Sequence, residues 1–193
     1  MTDTAYYLDA WNDPVYVKGE QEVFTMLENY LPNPPKRILD IGCGYAHISE
    51  MFQKKYGTEL YLLDGDFSEN SQQANRAAKY GATEDFMFYV STDDLKKEWD
   101  RKRMTYTFLD AKNIKIASDV EFDLVYSWIS CGFHYPVSTY KKLIQKHTTA
   151  QSTIIMDFRR KSLDAQMKDF DIVQRLNGDA VQKKYKLHIQ FKD

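Results

Sequence analysis

Cysteine, proline and glycine are all scarce in this chain, at two, five and eight residues in 193. Cys43 and Cys131 are too few for a disulfide scaffold, and a chain of this length builds a hydrophobic core without one, which points to a reducing compartment. The low glycine and proline content excludes collagen-like repeats and elastic linkers. No sign of charge dominates: 26 Lys plus Arg stand against 28 Asp plus Glu, so the net charge of −2 provides no global reason to expect a nucleic-acid coat or a membrane-surface sheath. No apolar run is long enough to span a bilayer, and the N-terminus carries acids where a secretory signal carries lysines. A cytoplasmic protein without a membrane partner is expected. What is present is 43% hydrophobic and 15% aromatic residues, the composition of one packed domain over 1–193.

Apolar positions alternate between two periods along the chain. Residues 1–35 read as a helical segment with an aromatic opening (Tyr6, Tyr7, Trp11, Tyr16), in which Val23, Met26, Leu27 and Leu31 recur at helical spacing from Gly19 until Pro32 stops the pattern. Short β-branched and aromatic runs then appear at Ile38–Ile41, Glu59–Asp64, Met104–Asp110, Phe122–Trp128 and Ser152–Phe158, with a helical pattern after the first glycine turn and others around Ser68–Tyr80, Thr92–Lys102 and Val137–His147. Strands alternating with helices imply right-handed crossovers and a parallel sheet covered on both faces. Beyond Ser162, two strand-like runs hinged at Asn177 and Gly178 read as an antiparallel hairpin. The expectation is a single α/β domain with a core over 36–193 and an insertion near 65–91. That insertion, with Phe86, Phe88 and Tyr89, and the aromatic N-terminus are both candidates for a lid over a site.

Ligands of open parallel sheets bind outside the carboxyl ends of the strands, where strand order reverses. The run LDIGCGYAH holds Asp40 inside a strand end, where a carboxylate needs donors or a cation, and Gly42 and Gly44 let the backbone approach a ligand closely. His47 occupies the position where a dinucleotide fingerprint has Gly or Ala, and no P-loop lysine follows, so a ligand without a pyrophosphate is favoured. Asp64 ends the second strand, where an acid can accept both hydroxyls of a ribose; Asp66 is its rival. Asp110 ends the third strand and, with the small Ala111, suits an adenine amine. The implied ligand carries adenosine at one end and a cationic centre near the glycine turn.

With LDIGCG, LLDGD, FLDA and FDLVYS in this order and an antiparallel ending, the chain resembles the class I S-adenosylmethionine-dependent methyltransferases from Arg37 onward. It departs from the D-x-G-x-G-x-G pattern at Ala46. The resemblance implies a Rossmann-like three-layer sandwich with a mostly parallel seven-stranded sheet of order 3-2-1-4-5-7-6 and an antiparallel C-terminal hairpin. It also implies S-adenosyl-L-methionine as cofactor and S-adenosyl-L-homocysteine as product. Carried over, Asp40, Gly42 and Gly44 would hold the methionine moiety, Asp64 and Gly65 the ribose, Asp110 and Ala111 the adenine, with Ser127 near the methionine end.

Methyl transfer from a sulfonium asks mainly for orientation and water exclusion, and for a base only where the acceptor holds a proton. SWISCGFHYP, after the fourth strand, presents His134 and Tyr135 as candidate catalytic residues. Neither a metal-ligand spacing nor a nucleic-acid motif is evident. Residues 141–193 hold 12 basic and 6 acidic residues, and Arg159 and Arg160 follow the fifth strand, so an anionic acceptor is possible. The expectation is transfer to a small molecule, with oxygen slightly favoured over nitrogen. The alternative is a protein that binds the cofactor without turnover and acts as a partner or regulator.

Overall fold

Seven strands build one sheet in the order β3-β2-β1-β4-β5-β7-β6, the order expected above, in a computed structural model that describes residues 9–66, 90–177 and 184–192. The strands are β1 (Arg37–Ile41), β2 (Glu59–Asp64), β3 (Tyr106–Asp110), β4 (Leu124–Ser127), β5 (Thr153–Arg159), β6 (Phe170–Arg175) and β7 (Lys184–Phe191). β7 runs antiparallel to both β5 and β6, and the other pairings are parallel. The helices are α1 (Pro14–Tyr30), α2 (His47–Tyr56), α3 (Thr92–Arg101), α4 (Lys141–Lys146) and α5 (Arg160–Gln166). The expected helix at Ser68–Tyr80, the insertion aromatics Phe86, Phe88 and Tyr89, Tyr6 and Tyr7, and the hinge residue Gly178 lie outside the described residues. No helix among the described residues is long and apolar enough to cross a membrane.

α1 begins at Pro14 rather than at Gly19. Asp13 caps it, its carboxylate accepting the Val15 N–H at 2.8 Å, and Pro14 occupies the first turn, where a missing N–H costs no hydrogen bond. Apolar periodicity alone misses this turn because its inward-facing residues include a tyrosine and a glutamate, Tyr16 and Glu20. The helix read over Val137–His147 is interrupted: a 3-10 turn (Val137–Thr139) precedes α4, with Tyr140 at φ −114° between them.

Side chains alternate across the sheet. Leu39, Ile41, Leu63, Val125 and Met156 pack on one face with Val137 and Ile144. Ile38, Leu60, Leu62, Leu124, Tyr126 and Ile155 pack on the other, against Leu27 of α1, Phe52 of α2 and Trp99 of α3. Each such fully buried side chain contributes about 1.5–3 kcal/mol of burial free energy. The same alternation directs Asp40, two residues after Ile38, and Asp64, two after Leu62, to the α1 side, and register sets Tyr126 directly beside Asp40.

A buried ion pair fixes the neighbouring loop. Lys186 Nζ of β7 lies 2.7 Å from Asp157 Oδ1 of β5, with the two residues 4% and 0% exposed. The other carboxylate oxygen accepts the N–H of Ile129 at 3.1 Å, and Ile129 is held at φ +51°. The segment Trp128–Tyr135, which follows β4, is anchored through this contact.

Candidate functional site

The carboxyl ends of β1, β2 and β4 open into a cavity of about 480 Å³, walled on its other side by Trp11 and by Tyr16 and Glu20 of α1. Its floor is the glycine turn. Gly42 and Gly44 sit at φ +66° and +50°, conformations in which a side chain is strained. A Cβ on Gly42 would lie 1.8 Å from Ser130 Oγ, and one on Gly44 would lie 3.0 Å from the Trp11 ring, so protein packs on both glycines at van der Waals range.

The donors of this turn are already engaged. Gly42 and Cys43 give their N–H groups to the Leu63 carbonyl at 2.8 and 3.2 Å, and Gly44 gives its N–H to Asp64 Oδ2 at 2.8 Å. A phosphate-binding turn presents free N–H groups to its anion. Here those groups face a carbonyl and a carboxylate, which agrees with the exclusion of a pyrophosphate drawn from His47.

Asp40 and Asp64 both line the cavity. Asp40 is 3% exposed and accepts the Ser49 hydroxyl at 2.6 Å; burial, opposed by that hydrogen bond and assisted by Asp64 and Glu20, pushes its pKa up to about 7. Burial likewise raises Asp64 to about 6, against the pull of the Gly44 and Gly65 N–H groups. Two acids held away from water in this way favour a cationic neighbour. Asp66 is committed elsewhere: it accepts the N–H and hydroxyl of Thr92, at 2.8 and 3.0 Å, and is absent from the cavity wall. Between these two acids, only Asp64 reaches the cavity.

His134 and Tyr135 also line it. The Tyr135 hydroxyl lies 3.0 Å from Ser130 Oγ, and burial raises its pKa far above the ordinary phenol value, so it stays protonated, able both to donate and to accept. His134 Nδ1 lies 3.4 Å from the Arg159 guanidinium, which carries donors only, so this contact requires an unprotonated Nδ1.

Gly65, Asp110, Ala111, Ser127 and Arg159, all singled out in the sequence, are not in the described wall of the cavity. Gly65 gives its N–H to Asp64 Oδ1 at 2.8 Å. Asp110 Oδ1 accepts the N–H of Lys112 at 2.8 Å in its own turn, and Ala111 packs against the core on the opposite sheet face. Ser127 is fully buried and spends its hydroxyl on structure, donating to the Ile41 carbonyl and accepting the Cys131 N–H, both at 2.8 Å. It clamps the end of β1 to the loop after β4. Arg159 donates to the Phe133 carbonyl at 3.1 Å and stacks on the Phe133 ring at 4.3 Å, outside the wall.

The structure adds residues for which the sequence carried only partial signals. Glu20 is 6% exposed and lies 2.5 Å from His47 Nδ1, linking α1 to the start of α2. Tyr16 and Trp128 stack at 5.0 Å between centroids. Tyr45, Tyr126 and Trp128 line the same cavity, and among the described residues their hydroxyls and indole nitrogen are buried without a hydrogen-bond partner. Buried polar groups are nearly always hydrogen-bonded, so three orphans around one void mark a place for a polar ligand. An acid one helical turn after a tyrosine, in a helix beginning with an aromatic cluster, was the available signal for Glu20.

No family model matches the chain, and no curated protein sequence matches it significantly. Solved structures do. The PH0226 protein of Pyrococcus horikoshii OT3 superposes with a TM-score of 0.65 at 14% identity, over 94% of this chain and 93% of its own. An S-adenosylmethionine-dependent methyltransferase of Clostridium acetobutylicum ATCC 824 superposes with a TM-score of 0.60 at 10% identity, over 98% of this chain and 99% of its own. The T. thermophilus 16S rRNA N2 G1207 methyltransferase RsmC, solved with AdoMet and guanosine, superposes at 0.55 and 11% identity, over 90% of this chain and 43% of its own. At these identities the likeness is one of fold: the chain has the Rossmann-like architecture on which the methyltransferases among these structures are built.

Proposed function

We propose that this chain is an S-adenosylmethionine-dependent methyltransferase that acts on a small molecule and releases S-adenosylhomocysteine. The observation that carries the reading is the cavity at the carboxyl ends of β1, β2 and β4, where buried Asp40 and Asp64 flank a glycine turn whose N–H groups are already used. Such a floor suits a nucleoside with a positive centre and repels a phosphate. The fold shared with structures of named methyltransferases supports the same reading.

In this reading Asp64 accepts the ribose hydroxyls, Asp40 faces the ammonium of the methionine moiety across Gly42 and Gly44, and the apolar Val90 and Leu95 form the purine wall. Held there by these residues, S-adenosylmethionine would supply a methyl group activated on its sulfonium for an acceptor lone pair. The chain's own work is positioning and exclusion of water. Trp11 and α1 cover the cavity, and the protonated Tyr135 hydroxyl, held by Ser130, orients a polar group. Incubation with methyl-labelled S-adenosylmethionine and a fractionated metabolite pool tests the reading. Label in a low-mass product is the expected result, and tight S-adenosylhomocysteine binding with no transfer to any fraction would favour the non-catalytic alternative.

A further inference from the structure

Among the described residues, the cavity wall carries three carboxylates, Glu20, Asp40 and Asp64, and no lysine or arginine. Cations stand just behind this wall: Lys186 pairs with Asp157 at 2.7 Å and lies 5.4 Å from the Tyr126 ring, Lys184 lies 5.7 Å from the Trp128 ring, Arg159 lies 3.4 Å from His134 Nδ1, and Lys102 pairs with Glu50 at 3.1 Å. Asp40 and Asp64 belong to the glycine turn and are assigned to the cofactor in the reading above. Glu20 stands apart, on α1, and its charge has no use in that assignment.

Around Glu20 the wall is built for a small organic cation. Its Oε2 is bonded to His47, and Oε1 takes no hydrogen bond. Tyr126, 2% exposed, has an unpartnered hydroxyl whose surroundings include Glu20, Asp40, Asp157 and Tyr16. Tyr16 and Trp128 pack against each other at 5.0 Å between centroids, with Lys184 Nζ 5.7 Å from the Trp128 ring on this wall. Ring faces and a carboxylate together attract an ammonium. A carboxylate or phosphate at the same place would meet the Glu20 carboxylate, which is paired to the His47 ring, with no lysine or arginine among the described wall residues.

We propose that the part of the cavity walled by Tyr16 and Glu20 of α1 and by Tyr126 and Trp128 at the end of β4 is the acceptor subsite, and that it takes a small amine that arrives protonated. This rests on the methyltransferase reading and moves the acceptor atom from the slightly favoured oxygen to nitrogen. An ammonium has no lone pair, so one proton must leave before transfer, and the Glu20 carboxylate takes it. The freed nitrogen pair then bonds the methyl carbon, the sulfur keeps the electrons of the broken bond, and the positive charge passes from sulfur to the methylated nitrogen.

The test is calorimetry on the protein saturated with S-adenosylhomocysteine, titrated with three probes of similar size: phenethylamine, 2-phenylethanol and 3-phenylpropionate. The amine is expected to bind at least about tenfold more tightly than the alcohol, and the acid more weakly than either. Glu20→Gln is expected to weaken the amine by about tenfold while leaving the affinities for the alcohol and for S-adenosylhomocysteine within about threefold, which also reports an intact fold. The acid binding as tightly as the amine, an amine affinity unmoved by Glu20→Gln, or binding of none of the three to the loaded protein would overturn the subsite and leave the cofactor reading standing. Failure of S-adenosylhomocysteine itself to bind would overturn the methyltransferase reading, and the subsite with it.

Discussion

Gly42→Ala perturbs the floor of the cavity in a way that can be calculated from two terms. The backbone at φ +66° costs an L-residue about 1–2 kcal/mol. The new Cβ would lie 2.5 Å from the Cβ of Ser130, an atom that no side-chain rotation can move away, and such overpacking costs about 1–3 kcal/mol. The sum is about 2–5 kcal/mol, equivalent to a fall in Tm of about 4–20 °C for a domain of this size. Gly57 serves as the control: it has a similar φ of +70° and nothing within 4 Å of an added Cβ, so Gly57→Ala should show the backbone cost alone, about 1–2 kcal/mol. Ser130→Gly removes the obstructing atoms. In a double-mutant cycle followed by thermal unfolding, Gly42→Ala in the Ser130→Gly background should therefore cost about 1–3 kcal/mol less than in the wild-type background. Additive costs for the two substitutions, or equal effects of Gly42→Ala and Gly57→Ala, would refute the packing of the loop after β4 onto the glycine turn.

Two further outcomes follow from the buried charges and a third from the tryptophans. Asp40 has a folded pKa of about 7 against an unfolded value near 4, so the folded state holds the extra proton between those values and stability falls as pH rises through this window. Urea unfolding should find the ligand-free protein less stable at pH 8 than at pH 5 by on the order of 2 kcal/mol from this group, and Asp40→Asn should flatten the difference; an unchanged slope would contradict the burial of a titrating carboxyl there. Lys186→Met leaves Asp157 buried without its cation and should cost about 3–5 kcal/mol, most of it recovered by adding Asp157→Leu, as read by chemical denaturation; a loss below about 1 kcal/mol would show that the pair is solvated. Trp11 and Trp128 both line the cavity, so ligand binding should change indole fluorescence, and Trp99→Phe, which removes the remaining tryptophan, should leave that change in place.

The alternation of strands and helices was legible in five short apolar runs, three of them ending at a glycine or an acid, whereas the strand order came from the family resemblance; β2 matched its expected span of Glu59–Asp64. The hairpin was legible from Asn177, whose side chain bonds the β7 backbone at the Lys184 carbonyl and the Lys186 N–H. At the site, Asp40, Gly42, Gly44 and Asp64 came together because strand-end acids and positive-φ glycines leave a local imprint. Ser127 and Asp110 illustrate the limit: a polar residue at a strand end looks the same whether it faces a ligand or secures its own turn, and only long-range packing distinguishes the two. Glu20 left only its helical spacing from Tyr16 as a local trace, and its meeting with Trp128 in one cavity wall depends on the packing of α1 against the sheet, a tertiary contact. The basic residues near Arg159 suggested an anionic acceptor; Arg159 bonds the Phe133 carbonyl and backs the wall residue His134 at 3.4 Å without lining the cavity itself.

The most direct test of the account is a calorimetric titration of the wild-type chain and Asp64→Ala with S-adenosylhomocysteine, with NAD as the comparison ligand. Hydrogen bonds from two ribose hydroxyls to a charged acceptor are worth about 1.5–3 kcal/mol each, so the account predicts saturable one-site binding, weakened at least about tenfold by Asp64→Ala, and no binding of NAD. Absence of S-adenosylhomocysteine binding, binding of NAD in its place, or an affinity indifferent to Asp64→Ala in a folded protein would contradict it.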